Sequence, residues 1–76
     1  LNANKIYTPH TSAEFLQIIW QRQKDLGISD YQLARESGVS RAAISRWKAE
    51  QRSPMWYQIL ALFPVVGLEI KILEKD

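Results

Sequence analysis

The chain of 76 residues has no cysteine, which excludes disulfides and thiolate metal sites and fits a reducing compartment. Its one histidine, His10, stands beside Pro9, where a surface or capping place suits it better than a metal or catalytic one. No apolar run approaches the roughly 20 residues of a membrane span, so no membrane is expected as a partner. Paired carboxylates, nucleophile–base sets, glycine-rich phosphate loops and metal-ligand spacings are all missing. An enzyme therefore has no supporting residues, and neither a cofactor nor a metal is expected. Internal repeats, low-complexity tracts and interdomain linkers are also lacking. At this length the chain reads as one domain, residues 1–76. A domain so small buries only about 60% of its unfolded-chain surface, and a dimer would help to stabilise it.

What is present is a hydrophobic fraction of 46%, enough for a core, with three tryptophans adding large buried area. The net charge of +2 says less than its distribution. Residues 35–52 carry Arg35, Arg41, Arg46, Lys48 and Arg52 against Glu36 and Glu50, whereas residues 67–76 carry more acid than base. A local excess of cations fits phosphate binding, and it also fits an ordinary solvated helix face.

The most informative stretch is residues 29–49. It reads as a helix, a tight turn at Gly38 and a second helix. Leu33 and Ala34 fall on the inward face of the first helix, Ala34 being small where two helices approach. Gly38 is free to adopt positive φ. Val39, Ile44 and Trp47 bury the second helix, and Arg41, Ala42, Ser45 and Arg46 occupy its opposite face. This is a helix-turn-helix pattern, a unit that presents its second helix to the major groove of DNA.

Around it the boundaries are marked by local chemistry. Residues 1–10 read as an arm, with short alternation over Lys5–Thr8 and extended backbone at Thr8-Pro9. Thr11 with Glu14 predicts a capping box and a helix starting near Ser12, ended by Gly27. Phe15, Leu16, Ile18, Ile19, Trp20 and Leu26 give that helix a broad apolar face. Ser29 with Gln32 predicts a second capping box, and Ser40 is a good N-cap for the next helix. Ser53-Pro54 predicts a further helix with proline at its first position, ended or kinked at Pro64. This helix is apolar nearly all round, apart from Gln58. Gly67 is a natural stop. Residues 68–73 then change period: Leu68, Ile70 and Ile72 alternate with polar residues, a half-buried strand signal. Such a strand needs a partner, either the same strand of a second chain, which is favoured, or the Lys5–Thr8 arm. The expected fold is all-α: four to five helices in a repressor-like DNA-binding domain, with a C-terminal β-strand over 68–73.

With these residues in place, the sequence resembles the Cro/repressor-type (XRE) helix-turn-helix family of bacteria and phages. The resemblance covers residues 12–63 and is most specific over Val39-Ser40-Arg41-Ala42-Ala43-Ile44-Ser45-Arg46-Trp47. The ends, Lys5-Ile6-Tyr7-Thr8-Pro9 and the terminal strand, look like the HipB antitoxins that partner the HipA kinase. The resemblance implies a cytoplasmic, bacterial or phage-encoded repressor that binds a palindromic operator in double-stranded DNA as a homodimer joined through its terminal strands. It also implies an autoregulating antitoxin with a kinase-like toxin as partner. A phage or prophage regulator, or a protein-binding module that neutralises a toxin, are the alternatives. Two positions depart from the family: Ser37 stands where an apolar residue is usual, and Lys48 where Glu is common. The second departure implies that a customary intrachain ion pair is missing and that Lys48 faces phosphate.

Arg41, Ala42, Ser45 and Arg46 are the expected base-contacting residues. Each arginine has the reach to pair with the O6 and N7 of guanine, worth ~1–3 kcal/mol of discrimination, or to touch phosphate alone. Ala42 offers a methyl contact suited to thymine, and Ser45 bonds either way. Ser29, Gln32, Ser40, Lys48 and Arg52 are the expected phosphate contacts, the serines being equally explained as caps. Arg35 and Gln51 are weaker phosphate candidates. Trp56, Tyr57, Leu68, Ile70 and Ile72 are the expected dimer-interface residues.

Overall fold

A computed structural model of the protein describes residues 5–75. Four α-helices follow one another: α1 Ser12–Leu26, α2 Asp30–Ser37, α3 Arg41–Lys48 and α4 Trp56–Leu62. A 3₁₀ turn at Pro64–Val66 comes last. The first four residues of the expected arm and Asp76 lie outside the described residues.

The first three helices begin where hydroxyl side chains take up orphan N–H groups. Thr11 Oγ1 accepts from Glu14 N–H at 3.1 Å, Ser29 Oγ from Gln32 N–H at 3.0 Å and Ser40 Oγ from Ala43 N–H at 3.1 Å. Neither expected capping box closes fully. Glu14 Oε1 accepts from His10 N–H, one residue before the cap, and the Gln32 amide turns instead to Glu36 Oε2 at 3.0 Å. Gly38, at φ 81°, makes the turn between α2 and α3. Ser37 satisfies itself locally: its hydroxyl donates to Ala34 O at 3.4 Å and accepts from Val39 N–H at 3.1 Å. A polar residue thereby enters the α2–α3 seam with both bonding capacities used.

α4 starts two residues later than Ser53-Pro54 predicts. Met55 is its N-cap, and the Gln58 side chain accepts the Met55 N–H at 2.8 Å. The one polar residue of the apolar run thus fixes where the helix begins. The helix ends at Leu62, and Pro64 occupies the first position of the 3₁₀ turn, where its missing N–H costs nothing. Gly67 follows at φ 71°. A Cβ there would lie 2.9 Å from Arg22 Nη2, while Arg22 Nε donates to Val66 O at 3.0 Å. Arg22 of α1 thus holds the exit from the turn.

The core is made by Leu16 and Ile19 of α1, Leu33 of α2, Val39, Ile44 and Trp47 around α3, Ile59 and Leu62 of α4, and Phe63 and Val66. Phe15 lies edge-on to Trp56 at 4.9 Å and stacks with Phe63 at 6.0 Å, which seats α4 on α1. Leu26, expected on the apolar face of α1, is half exposed at the helix end.

The expected strand over 68–73 does not form. Among the described residues no strand is present, and no backbone hydrogen bond joins residues 68–73 to the Lys5–Thr8 segment. Leu68 packs against the core, whereas Ile70, Ile72 and Leu73 are exposed. The reason is physical: alternation gives a segment one apolar edge, but a ladder needs a second backbone, and a single chain supplies none here.

Candidate nucleic-acid interface

The second helix of the motif offers one clean polar face. Ile44 and Trp47 are buried and Ala43 half-buried, and together they turn α3 onto α2 and the core. At 100° per residue the remaining positions 41, 42, 45 and 46 fall within one arc of about 140°. All four side chains are exposed. Among the described residues neither Arg41 nor Arg46 makes an ion pair or a side-chain hydrogen bond. Two guanidiniums with free donor forks therefore flank a methyl and a hydroxyl on a helix that nothing else covers.

The surroundings of this face differ from residue to residue. Ser29 and Ser40 spend their hydroxyl acceptors on caps, the N-terminus of α2 opening the motif and that of α3 following its turn. Gln32 is tied to Glu36. Arg52 is exposed in the connection after α3. Trp56 and Tyr57, on the first turn of α4, are exposed at 48% and 68%.

The Lys48 side chain is engaged by other residues of the chain. Its ammonium donates to Asp30 Oδ1 at 2.7 Å and to Gln23 Oε1 at 2.9 Å, and it lies 4.9 Å from the centroid of the Trp20 ring. This is an intrachain ion pair, with the cation on α3 and the anion on α2. Gln23, the one buried polar side chain among the described residues, completes the set by donating from Nε2 to the same Asp30 oxygen at 2.7 Å. The bonds from Lys48 and Gln23 hold the Asp30 carboxyl below its ordinary value of 3.8, against a smaller upward push from burial.

Tyr31 is a further resident of the interface that the pattern of the sequence did not single out. Its ring is exposed and lies 5.4 Å from the Arg35 guanidinium and 5.9 Å from that of Arg41. The i,i+4 spacing of Tyr31 and Arg35 was readable as a helix neighbour pair. The approach of Arg41 arises only once the turn folds α3 back on α2. Asp30 and Gln23 gave no signal of their own, being seven residues apart and 18 and 25 residues from Lys48.

Among the described residues there is no group of histidine, cysteine, aspartate and glutamate able to hold a metal ion, and no helix is long and apolar enough to cross a membrane. A family model described as helix-turn-helix matches residues 18–55, from the middle of α1 to the N-cap of α4. No curated protein and no solved structure matches the chain.

Proposed function

This chain belongs to the XRE-type helix-turn-helix family, whose members are DNA-binding regulators, and from that premise we propose that it is a sequence-specific transcriptional repressor acting on a palindromic operator as a homodimer. The observation that carries the proposal is the uncovered face of α3, where Arg41 and Arg46 stand with no ion pair or side-chain hydrogen bond among the described residues. In the major groove each guanidinium can bond guanine bidentately, Ser45 can bond a neighbouring edge, and the Ala42 methyl suits thymine. The helix ends at Ser29 and Ser40, with Gln32 in the first turn of α2 and Arg52 in the connection after α3, supply phosphate contacts that fix the register.

One α3 reads only a few base pairs, and two-fold pairing doubles the site. The exposed apolar side chains of Trp56, Tyr57, Ile70 and Ile72 are suited to that pairing, the tail segments joining as an antiparallel two-chain ribbon. The same surface favours a protein partner as well. On this reading the repressor is the antitoxin of a HipA/HipB-like pair, regulating its own operon and binding a kinase-like toxin. A phage or prophage regulator would share the DNA chemistry and lack the toxin. The test of the DNA-binding role is selection of binding sites from a random duplex pool. Enrichment of an inverted repeat with half-sites about 34 Å apart is expected, and a pool that stays random would refute sequence-specific binding. A kinase-like neighbouring reading frame whose product co-purifies with this chain is expected of the antitoxin, and its absence would favour the phage regulator.

A further inference from the structure

Lys48 has the charge and helix position of a phosphate contact, yet its side chain is only 34% exposed and its ammonium already has two short oxygen partners. Those partners sit on different elements: Gln23 on α1 and Asp30 at the first position of α2. The Trp20 ring of α1 closes a third side at 4.9 Å. We infer that Lys48 is a positioning residue, which fixes the recognition helix α3 against α1 and α2 through Gln23 and Asp30 and leaves DNA phosphate to other groups. The inference rests on the DNA-binding reading and assigns one residue within it a different task.

The geometry explains why such a tie is needed here. α3 has only eight residues and touches the core through Ile44 and Trp47, with Ala43 half-buried beside them. Apolar packing resists its withdrawal but is non-directional, so it constrains rotation and sliding of so short a helix weakly. Hydrogen bonds from the last residue of α3 to two other helices are directional and fix both motions. Gln23 adds rigidity because both ends of its amide are used, one on Lys48 and one on Asp30, so that no member of the triad can shift without leaving a buried or half-buried polar group unpaired. A lysine can serve three partners from one point because its ammonium has three donors and no fixed plane.

The two roles for Lys48 predict opposite signs. Operator and scrambled duplexes are titrated with the intact protein and with Asp30→Lys, Lys48→Met, Lys48→Glu and the double swap Asp30→Lys/Lys48→Glu. All titrations are run at a temperature where circular dichroism shows each variant folded, and over a series of salt concentrations. If Lys48 positions α3, Asp30→Lys weakens operator binding although it adds a cation near the duplex. Lys48→Met then lowers operator affinity roughly tenfold, as expected for removal of a coupled contact. It leaves scrambled-duplex binding and the slope of log affinity against log salt unchanged. The double swap recovers most of the operator affinity while Lys48→Glu alone does not, a rescue that a general loss of stability would not produce. If Lys48 contacts phosphate, Asp30→Lys tightens binding, Lys48→Met lowers the salt slope by about 0.9 on both duplexes, and the swap fails to rescue. That result would overturn the inference and leave the DNA-binding reading intact. A wild-type protein that does not distinguish the two duplexes would overturn both.

Discussion

Arg41 and Arg46 differ from Lys48 in making no ion pair or side-chain hydrogen bond among the described residues, and that difference sets what their removal should do. Arg41→Ala and Arg46→Ala are each expected to cost ~1–3 kcal/mol on the operator and much less on scrambled DNA, because a bidentate base contact is lost together with its sequence information. Paired isotherms measure this, and equal losses on both duplexes would reduce the arginines to phosphate contacts. Asp30 offers a test that needs no DNA. Its carboxyl is held below 3.8 chiefly by the bonds from Lys48 and Gln23, with Lys48 and Arg41 adding to the field around it. A folded-state value below the unfolded one means that the contribution to stability is present above the unfolded value and is lost as pH falls through the folded one. The urea midpoint of the intact protein should therefore exceed that of Asp30→Asn at pH 7, and the gap should narrow as pH falls below 3.8 and through the lower folded-state value, as the carboxyl takes up its proton in both states. A gap that is constant with pH would mean that the charge on Asp30 contributes nothing.

At the scale of the helix, local chemistry decides both the stability of α3 and how much of the fold could be read in advance. Ser40→Ala should destabilise the domain by ~0.5–2 kcal/mol by leaving the Ala43 N–H without its acceptor. The other end of α3 carries the opposite kind of residue. Glu50, at φ 59°, is the left-handed residue after the helix, where Glu50 N–H bonds Trp47 O at 3.1 Å and Gln51 N–H bonds Arg46 O at 2.9 Å. That closure favours glycine, and a carboxylate there also opposes the negative end of the helix. Glu50→Gly is expected to stabilise by about 1 kcal/mol. In a domain of this size that raises the melting temperature by roughly 4–8 °C, which a thermal melt followed by circular dichroism would detect. The starts of α1, α2 and α3 were legible because Thr11, Ser29 and Ser40 act within three residues of themselves. The inward placement of Ile44 and Trp47 was legible because helical period is a local property. The start of α4 was not, since Ser53-Pro54 imitates a helix opening while the Gln58 amide fixes it at Met55. Nor was the engagement of Lys48, which is made by residues brought together only by the packing of three helices.

At the scale of the molecule, the described residues, 41 × 28 × 18 Å in extent, bury one small core and leave a set of large apolar side chains outside it. Trp56, Tyr57, Ile70, Ile72 and Leu73 are between 40% and 91% exposed, on the first turn of α4 and along the tail. The tail therefore has the alternation of a strand and, among the described residues, no partner, which is the state expected of one half of a two-chain ribbon taken alone. Two recognition helices spaced about one turn of duplex apart need such a joint. Its removal can be made without touching the core: cutting after Leu68 keeps the bond from Arg22 to Val66 and the packing of Leu68, and every described residue it deletes is exposed. The intact protein is expected to sediment as a dimer. The form lacking residues 69–76 should sediment as a folded monomer with far weaker operator affinity. Ile70→Pro should act in the same direction, because proline removes a ladder donor and is excluded from the middle of a paired strand. A truncated protein that remains dimeric would move the joint to Trp56 and Tyr57 on α4. In that case Tyr57→Lys, at a position 68% exposed in the single chain, would be the substitution that separates the two copies.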